Sequence, residues 1–173
     1  MANFKTMIRT LMFVFVVLFC ATTFYYYTEQ GNARAEANIP KLPDFEHTNN
    51  QQFIDNVVQC VNYIEHNNTD VYPVNLELLI AQAALESGWG NSRFARVGKN
   101  LFGIRTYDLK EPHMLPSNNP KKWGVKVYSH ECDSVLNYMQ ILNNGGAYEK
   151  YRELMNNGEN DPYILVETLD AYA

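Results

Sequence analysis

The apolar positions fall into runs of different spacing, and each spacing predicts an element. Residues 10–28 carry no charge and hold an unbroken apolar block from Leu11 to Phe19. From Gly31 to Asn50 the composition turns polar, with Pro40 and Pro43 blocking regular structure, so this stretch reads as a linker. Next, Phe53, Ile54, Val57, Val58, Val61 and Ile64 recur at three- and four-residue spacing, which puts one apolar stripe on a helix over about residues 51–66. A second helix runs from about Asn75, a suitable N-cap, to Ser87, with Gly88 stopping it. At 100° per residue its apolar side chains, from Leu76 to Leu85, stand at almost every angle, the pattern of an interior helix.

Between Gly98 and Tyr128 the pattern changes to turn-rich stretches around Pro112, Pro116 and Pro120, separating two short extended segments. The return strand, Trp123 to Tyr128, alternates Trp123, Val125 and Val127 with Lys126 and Tyr128, as a small β lobe would require. Helices then resume. Ser129 is the expected cap of a segment with Glu131 and Asp133 in its first turn, ended by Asn143-Asn144-Gly145-Gly146; another helix covers about Tyr148 to Met155, and Asp161-Pro162 opens the last. The fold class is α+β, mainly α, with an N-terminal apolar helix in front. With 173 residues, 46% of them hydrophobic, there is material for one core. The expected domain map is residues 1–30 as signal sequence or anchor, 31–50 as linker and 51–173 as one domain.

Lys5 and Arg9 ahead of the apolar block make an export pattern. Ala33-Arg34-Ala35 offers a cleavage site, yet the charge-free run approaches the roughly 20 residues that cross a bilayer. Tyr25, Tyr26 and Tyr27 would sit at the outer interface, and the basic residues inside. The reading favours an uncleaved anchor in the cell envelope, facing the periplasm or exterior, over secretion after cleavage. Lipidation of Cys20 is disfavoured because Phe19, a large residue, precedes it. Outside the cytoplasm Cys60 and Cys132 are free to form a disulfide, although two unpaired, partly buried cysteines fit the sequence as well.

A formal net charge of −5 argues against an electrostatic grip on nucleic acid, so no nucleic-acid partner is expected. His47, His66, His113 and His130 are scattered without metal-ligand spacing, and neither metal nor other cofactor is expected. The aromatic content of 13% suits sugar faces and protein cores alike.

One acid stands out chemically. Gln82 and Glu86 lie one turn apart on the interior helix, and Glu86 is at its C-terminal end. Desolvation and the negative end of the helix dipole are expected to keep such a carboxyl protonated near neutral pH, as the acid of a glycosidase needs. The structural alternative is an ion pair with Arg93 or Arg96.

Glu86-Ser87-Gly88-Trp89-Gly90, then Ser92-Arg93-Phe94-Ala95, then Asn100-Leu101-Phe102-Gly103-Ile104 resembles the signature of the Bax-like and flagellar-muramidase-type peptidoglycan β-N-acetylglucosaminidases, of the lysozyme-like superfamily. The resemblance runs from about Tyr72 to Tyr172 and takes in Lys126-Val127-Tyr128, Asp133-Ser134-Val135, Tyr138, Tyr148 and Tyr151-Arg152. It implies a lysozyme-like helical domain with a β lobe, an endo-β-N-acetylglucosaminidase activity on peptidoglycan glycan strands, Glu86 as general acid and Tyr172 in the active site. Trp89, Phe102 and Gly103 match positions that shape the cleft floor. It also leads one to expect further helical residues beyond Ala173. Flagellar-type members carry a second Glu in a T-E-Y motif on the β lobe, and this chain has none; Asp108 and Glu111 are the nearest acids, with Glu111 favoured as the second catalytic residue. Without such a group, the substrate's acetamido group or a water held by Tyr172 would attack. The competing readings are a lytic transglycosylase or muramidase of the same superfamily, and a non-catalytic peptidoglycan-binding protein.

Overall fold

The computed structural model describes residues 18–30, 39–117 and 122–170, and the chain divides into two compact units, Met1–Ile39 and Pro40–Ala173. In the first unit residues 18–30 form a helix, α1, with Phe24, Tyr25, Tyr26 and Tyr27 exposed. Among the described residues no helix is long and apolar enough to cross a membrane. Lys5, Arg9, the apolar block up to Val17 and the Ala33-Arg34-Ala35 site lie outside them.

The second unit is mainly helical with one small sheet. Its elements are α2 (Asn50–Asn67), α3 (Leu76–Ser87), α4 (Arg93–Gly98), β1 (Arg105–Thr106), β2 (His113–Met114), β3 (Gly124–Lys126), α5 (Glu131–Asn144), a 3₁₀ turn (Gly146–Tyr148), α6 (Glu149–Asn156) and α7 (Pro162–Val166). The expected stripe on α2 is the buried face: Phe53, Val57, Val61 and Ile64 are enclosed together with Cys60. Each such side chain contributes roughly 1.5–3 kcal/mol by leaving water. Cys60 is bonded to Cys132 at the start of α5, with Cα atoms 5.0 Å apart, so a disulfide ties the two helices that pack most extensively.

The sheet has the order β1-β3-β2, antiparallel throughout, with Arg105 opposite Val125 and His113 opposite Lys126. Strand β2 falls in a stretch the sequence presents as turns, because two residues are too short to show alternation. The cap of α5 differs by one position from expectation. His130, not Ser129, is the N-cap: the Cys132 N–H donates to its Nδ1 at 3.1 Å, and its own N–H donates to Asp133 Oδ2 at 3.0 Å, a reciprocal box that Ser129 does not enter.

The stretch read as a linker up to Asn50 also differs. The compact unit begins at Pro40, and Phe45 is buried against Phe53 with ring centroids 5.8 Å apart. Proline forbids helix there but does not prevent an extended chain from laying one aromatic into the core.

Candidate active site

Helix α3 carries the acid. Asn75 caps it, its Oδ1 accepting from the Leu78 N–H at 2.8 Å while its Nδ2 donates to the Asn160 carbonyl at 2.9 Å, so the helix start is pinned to the loop before α7. Leu78, Leu79, Ala83 and Ala84 are buried. Another side is open: Glu77 and Ala81 are exposed and Leu85 is 77% exposed, so the helix is half interior rather than wholly so. Leu85, Ile80, Ala84, Ile54 and Trp89 line an apolar groove of about 520 Å³ along this open side.

Glu86, in the last turn, is exposed, which corrects the expectation of a carboxylate enclosed by the helix surround. Side chains at every angle are apolar, but one side of this end of the helix is left uncovered. Among the described residues neither Arg93 nor Arg96 forms an ion pair with Glu86; Arg93 Nη2 instead donates to the Leu115 carbonyl at 2.7 Å.

The turn after Glu86 has an unusual backbone. Gly88, Trp89 and Gly90 have φ of 59°, 58° and 75°, three consecutive left-handed residues, of which Trp89 carries a side chain. Such a conformation at a non-glycine residue costs about 1–3 kcal/mol and persists only where neighbours hold it. The holders are visible. Trp89 N–H donates to the Ala84 carbonyl at 2.8 Å, Gly90 N–H donates to Ser87 Oγ at 2.7 Å, and His47 Nε2 donates to the Trp89 carbonyl at 2.9 Å. Phe53 meets the Trp89 indole edge-on at 5.9 Å. The turn leaves Trp89 at the surface, 36% exposed, at the end of the apolar groove.

The second motif folds around Asn100, which is 1% exposed. Its Nδ2 donates to the carbonyls of Ile104 (2.9 Å) and Lys126 (3.0 Å), and its Oδ1 accepts from the N–H groups of Phe102 (3.3 Å) and Ile104 (3.1 Å). One amide thus fixes the loop 100–104 and ties it to strand β3. Phe102 is buried, stacked on Tyr138 with centroids 4.2 Å apart, so it supports the site from beneath and offers no face to a ligand. Gly103, at φ 63°, brings its backbone to the carboxylate: a Cβ built there would lie 3.7 Å from Glu86 Oε2. Burial holds the Tyr138 hydroxyl far above the ordinary tyrosine pKa, with Tyr151, Tyr148 and the Glu86 charge adding to it. Tyr138 therefore stays neutral beneath the acid. Asn100 and Tyr138 are the supporting residues that periodicity alone does not single out, since one amide and one phenol inside a core leave no repeat.

The structure brings Gly103 to Glu86, with Phe102 buried on Tyr138, whereas Trp89 lines the groove formed by Glu77, Ala81 and Leu85, which Glu86 does not line. Glu111 is placed on the β lobe, where its Oε2 accepts from Thr106 Oγ1 at 3.0 Å and lies 3.5 Å from Lys126 Nζ. Asp108 caps the same turn, its Oδ1 accepting from the Lys110 N–H at 3.0 Å. Tyr172 lies outside the described residues. Cys60, His130 and Cys132 bring potential metal-ligand atoms together, but the two sulfurs are bonded to each other and the His130 Nδ1 is engaged in the helix cap.

The family model described as mannosyl-glycoprotein endo-beta-N-acetylglucosaminidase, glucosaminidase for short, matches residues 63–172, well over half the chain, including the acid helix, its turn and the β lobe. The chain belongs to the glucosaminidase family. The Escherichia coli protein bax is 34% identical over 85 residues, which are 49% of this chain and 28% of that protein. The Bacillus subtilis exo-glucosaminidase LytG is 30% identical over 97 residues, 50% of this chain and 34% of the relative. This glucosaminidase chain thus spans about a third of the length of these curated relatives. The catalytic domain of the Listeria monocytogenes autolysin Auto is 24% identical with a TM-score of 0.40, over 83% of this chain and 93% of that one.

Proposed function

We propose that the protein hydrolyses the β-1,4 glycosidic bonds of peptidoglycan glycan strands as a β-N-acetylglucosaminidase, with Glu86 as general acid. The observation that carries this reading is the meeting of the exposed Glu86 carboxyl with the side-chain-free Gly103, so that no side chain of that loop position stands over the acid. A glycosidic oxygen must reach within hydrogen-bond distance of the proton donor, and a carboxyl sealed in the core cannot meet it. A strand laid over the site would displace the water that Glu86 now faces.

Glu111 is the candidate second carboxylate, activating water or stabilising the oxocarbenium-like transition state. The Thr106 hydroxyl, which donates to it, and the neighbouring Lys126 ammonium orient it. Tyr172 would complete the site. The substrate lies outside the cytoplasm, and the buried Cys60–Cys132 disulfide suits an oxidising compartment. The N-terminal apolar segment would export the domain and hold it at the membrane.

Mass spectrometry of muropeptides released from purified cell wall tests the reading. Reducing-end N-acetylglucosamine is expected. Reducing-end or anhydro N-acetylmuramic acid would replace it with the muramidase or lytic transglycosylase reading, and an undigested wall would favour a binding protein.

A further inference from the structure

We propose that Asn100 is a positioning residue for glycan cleavage: its buried amide ties the loop that faces Glu86 to strand β3 and thereby fixes how the Gly103 backbone stands beside the acid. The inference rests on the reading of Glu86 as the general acid made above, and adds to it a residue that, at 1% exposure, a glycan cannot reach.

Three observations converge. The oxygen of the Asn100 amide accepts from the N–H groups of Phe102 and Ile104, the residues on either side of Gly103, while its nitrogen donates to the carbonyls of Ile104 and Lys126. Both faces of the amide are therefore in use. Secondly, Asn100 stands where three segments meet. Its own N–H donates to the Phe94 carbonyl of α4 at 3.1 Å, and the Lys126 N–H of β3 donates at 2.9 Å to the same Ile104 carbonyl that the amide holds. Thirdly, the loop closed in this way is the one that reaches the acid: Gly103 has φ of 63°, and a Cβ built on it would lie 3.7 Å from Glu86 Oε2.

A glycine gives a loop slack, because its backbone takes φ of either sign. The amide removes that slack on both sides of Gly103 at once. Glu86, by contrast, is carried by α3, which is capped by Asn75 and packed through Leu78, Leu79, Ala83 and Ala84. Losing the donors of the amide therefore shifts the loop and leaves the acid where it is, so that a sugar resting against Gly103 would lie at the wrong distance from the proton donor. A misplacement of about 1 Å costs on the order of a hundredfold in rate. Such an error is felt when the proton passes, in the transition state, more than in contacts spread along a bound strand.

The test uses the full chain, with soluble uncrosslinked peptidoglycan strands as substrate and rates read well below the Tm of every variant. Asn100→Asp keeps the size and the accepting oxygen of the amide and removes its donors. Ile64→Ala removes core contacts near the C-terminal end of α2 and serves as a variant of lowered stability. The expected result is a kcat lowered about tenfold or more in Asn100→Asp with KM changed less than about threefold, and a kcat near that of the parent in Ile64→Ala. Asn100→Asp combined with Gly103→Ala should lose less than the product of the two single losses in kcat, because both act on the same gap. A parent-like kcat in Asn100→Asp, a rise in KM larger than the fall in kcat, an equal fall in Ile64→Ala, or losses that multiply in the double variant would overturn the proposal.

Should Asn100→Asp not fold, the Glu86→Gln protein decides by nuclear magnetic resonance with the same strands added. Asn100 Nδ2 protons protected from exchange, together with a Gly103 N–H resonance that shifts on addition of the strands, support the role; freely exchanging Nδ2 protons or an unmoved Gly103 resonance removes it. The kinetics of Glu86→Gln separate this role from the acid assignment. An inactive Glu86→Gln beside an unimpaired Asn100→Asp sinks only the role of Asn100, whereas a Glu86→Gln with the activity of the parent sinks the acid assignment beneath it.

Discussion

Gly103 faces Glu86 so closely that a methyl group on its Cα would stand 3.7 Å from the carboxylate oxygen Oε2. That distance is ordinary van der Waals contact, so the free protein can accommodate alanine there sterically. The backbone cannot do so freely, because φ is 63°. Gly103→Ala is expected to cost about 1–2 kcal/mol of stability, from the left-handed conformation. Its larger effect should be on turnover, since the added methyl occupies space a sugar ring would need. Thermal unfolding and initial rates on cell wall check the two parts separately: a small shift in Tm with a loss of rate of about tenfold or more is expected, on the scale of a misplaced substrate. An unimpaired rate would place the sugar elsewhere.

The second carboxylate is addressed by three substitutions. Glu111→Gln should lower kcat strongly with little change in KM, because its contribution would arise in the transition state. Asp108→Asn should be mild, its carboxylate being engaged in a local turn with Lys110. Full activity in both, together with a severe loss in Tyr172→Phe, would favour a single-acid mechanism with water or acetamido attack.

Removing the cross-link between α2 and α5 tests the scaffold. The cysteines are 72 positions apart, and closing a loop of that size in the unfolded chain corresponds to about 4 kcal/mol. The Cys60→Ala, Cys132→Ala double variant should melt at least about 10 °C lower. An unchanged Tm, or free thiols in protein isolated from its native compartment, would remove the bridge and with it the support it lends to export.

Sequencing the N-terminus of the native protein decides between anchor and cleaved signal. A membrane-bound chain that retains residues 10–28 is expected; a soluble chain beginning at Glu36 would show cleavage after Ala35.

Much of the helical frame is legible in the residues themselves. For α2 the apolar period, and for α3 the cap at Asn75 and the stop at Gly88, each act within a few residues, so local chemistry decides them. Where the outcome depends on distant partners, local reading fails. Ser129 is the better N-cap by type, yet Asp133 closes its box on His130. Phe45 looks like part of a linker until Phe53 covers it. At Glu86 the same limit touches the chemistry: an apolar helix predicts enclosure, but whether its end is covered depends on the loop 100–104, whose path Asn100 sets by four hydrogen bonds. The motif residues stand out in the sequence as linked clusters, whereas their support by Asn100, Tyr138 and His47 exists only once the chain has folded.

Glu86→Gln is the most direct test of the central claim. The amide keeps the volume and hydrogen-bonding reach of the acid and lacks only the transferable proton. With the side chain exposed, stability should change by less than about 0.5 kcal/mol. Release of reducing ends from purified cell wall, measured beside the parent protein at matched folding, should fall by at least about a hundredfold. A folded Glu86→Gln protein that releases reducing ends at the parent rate would contradict the assignment of Glu86 as the acid.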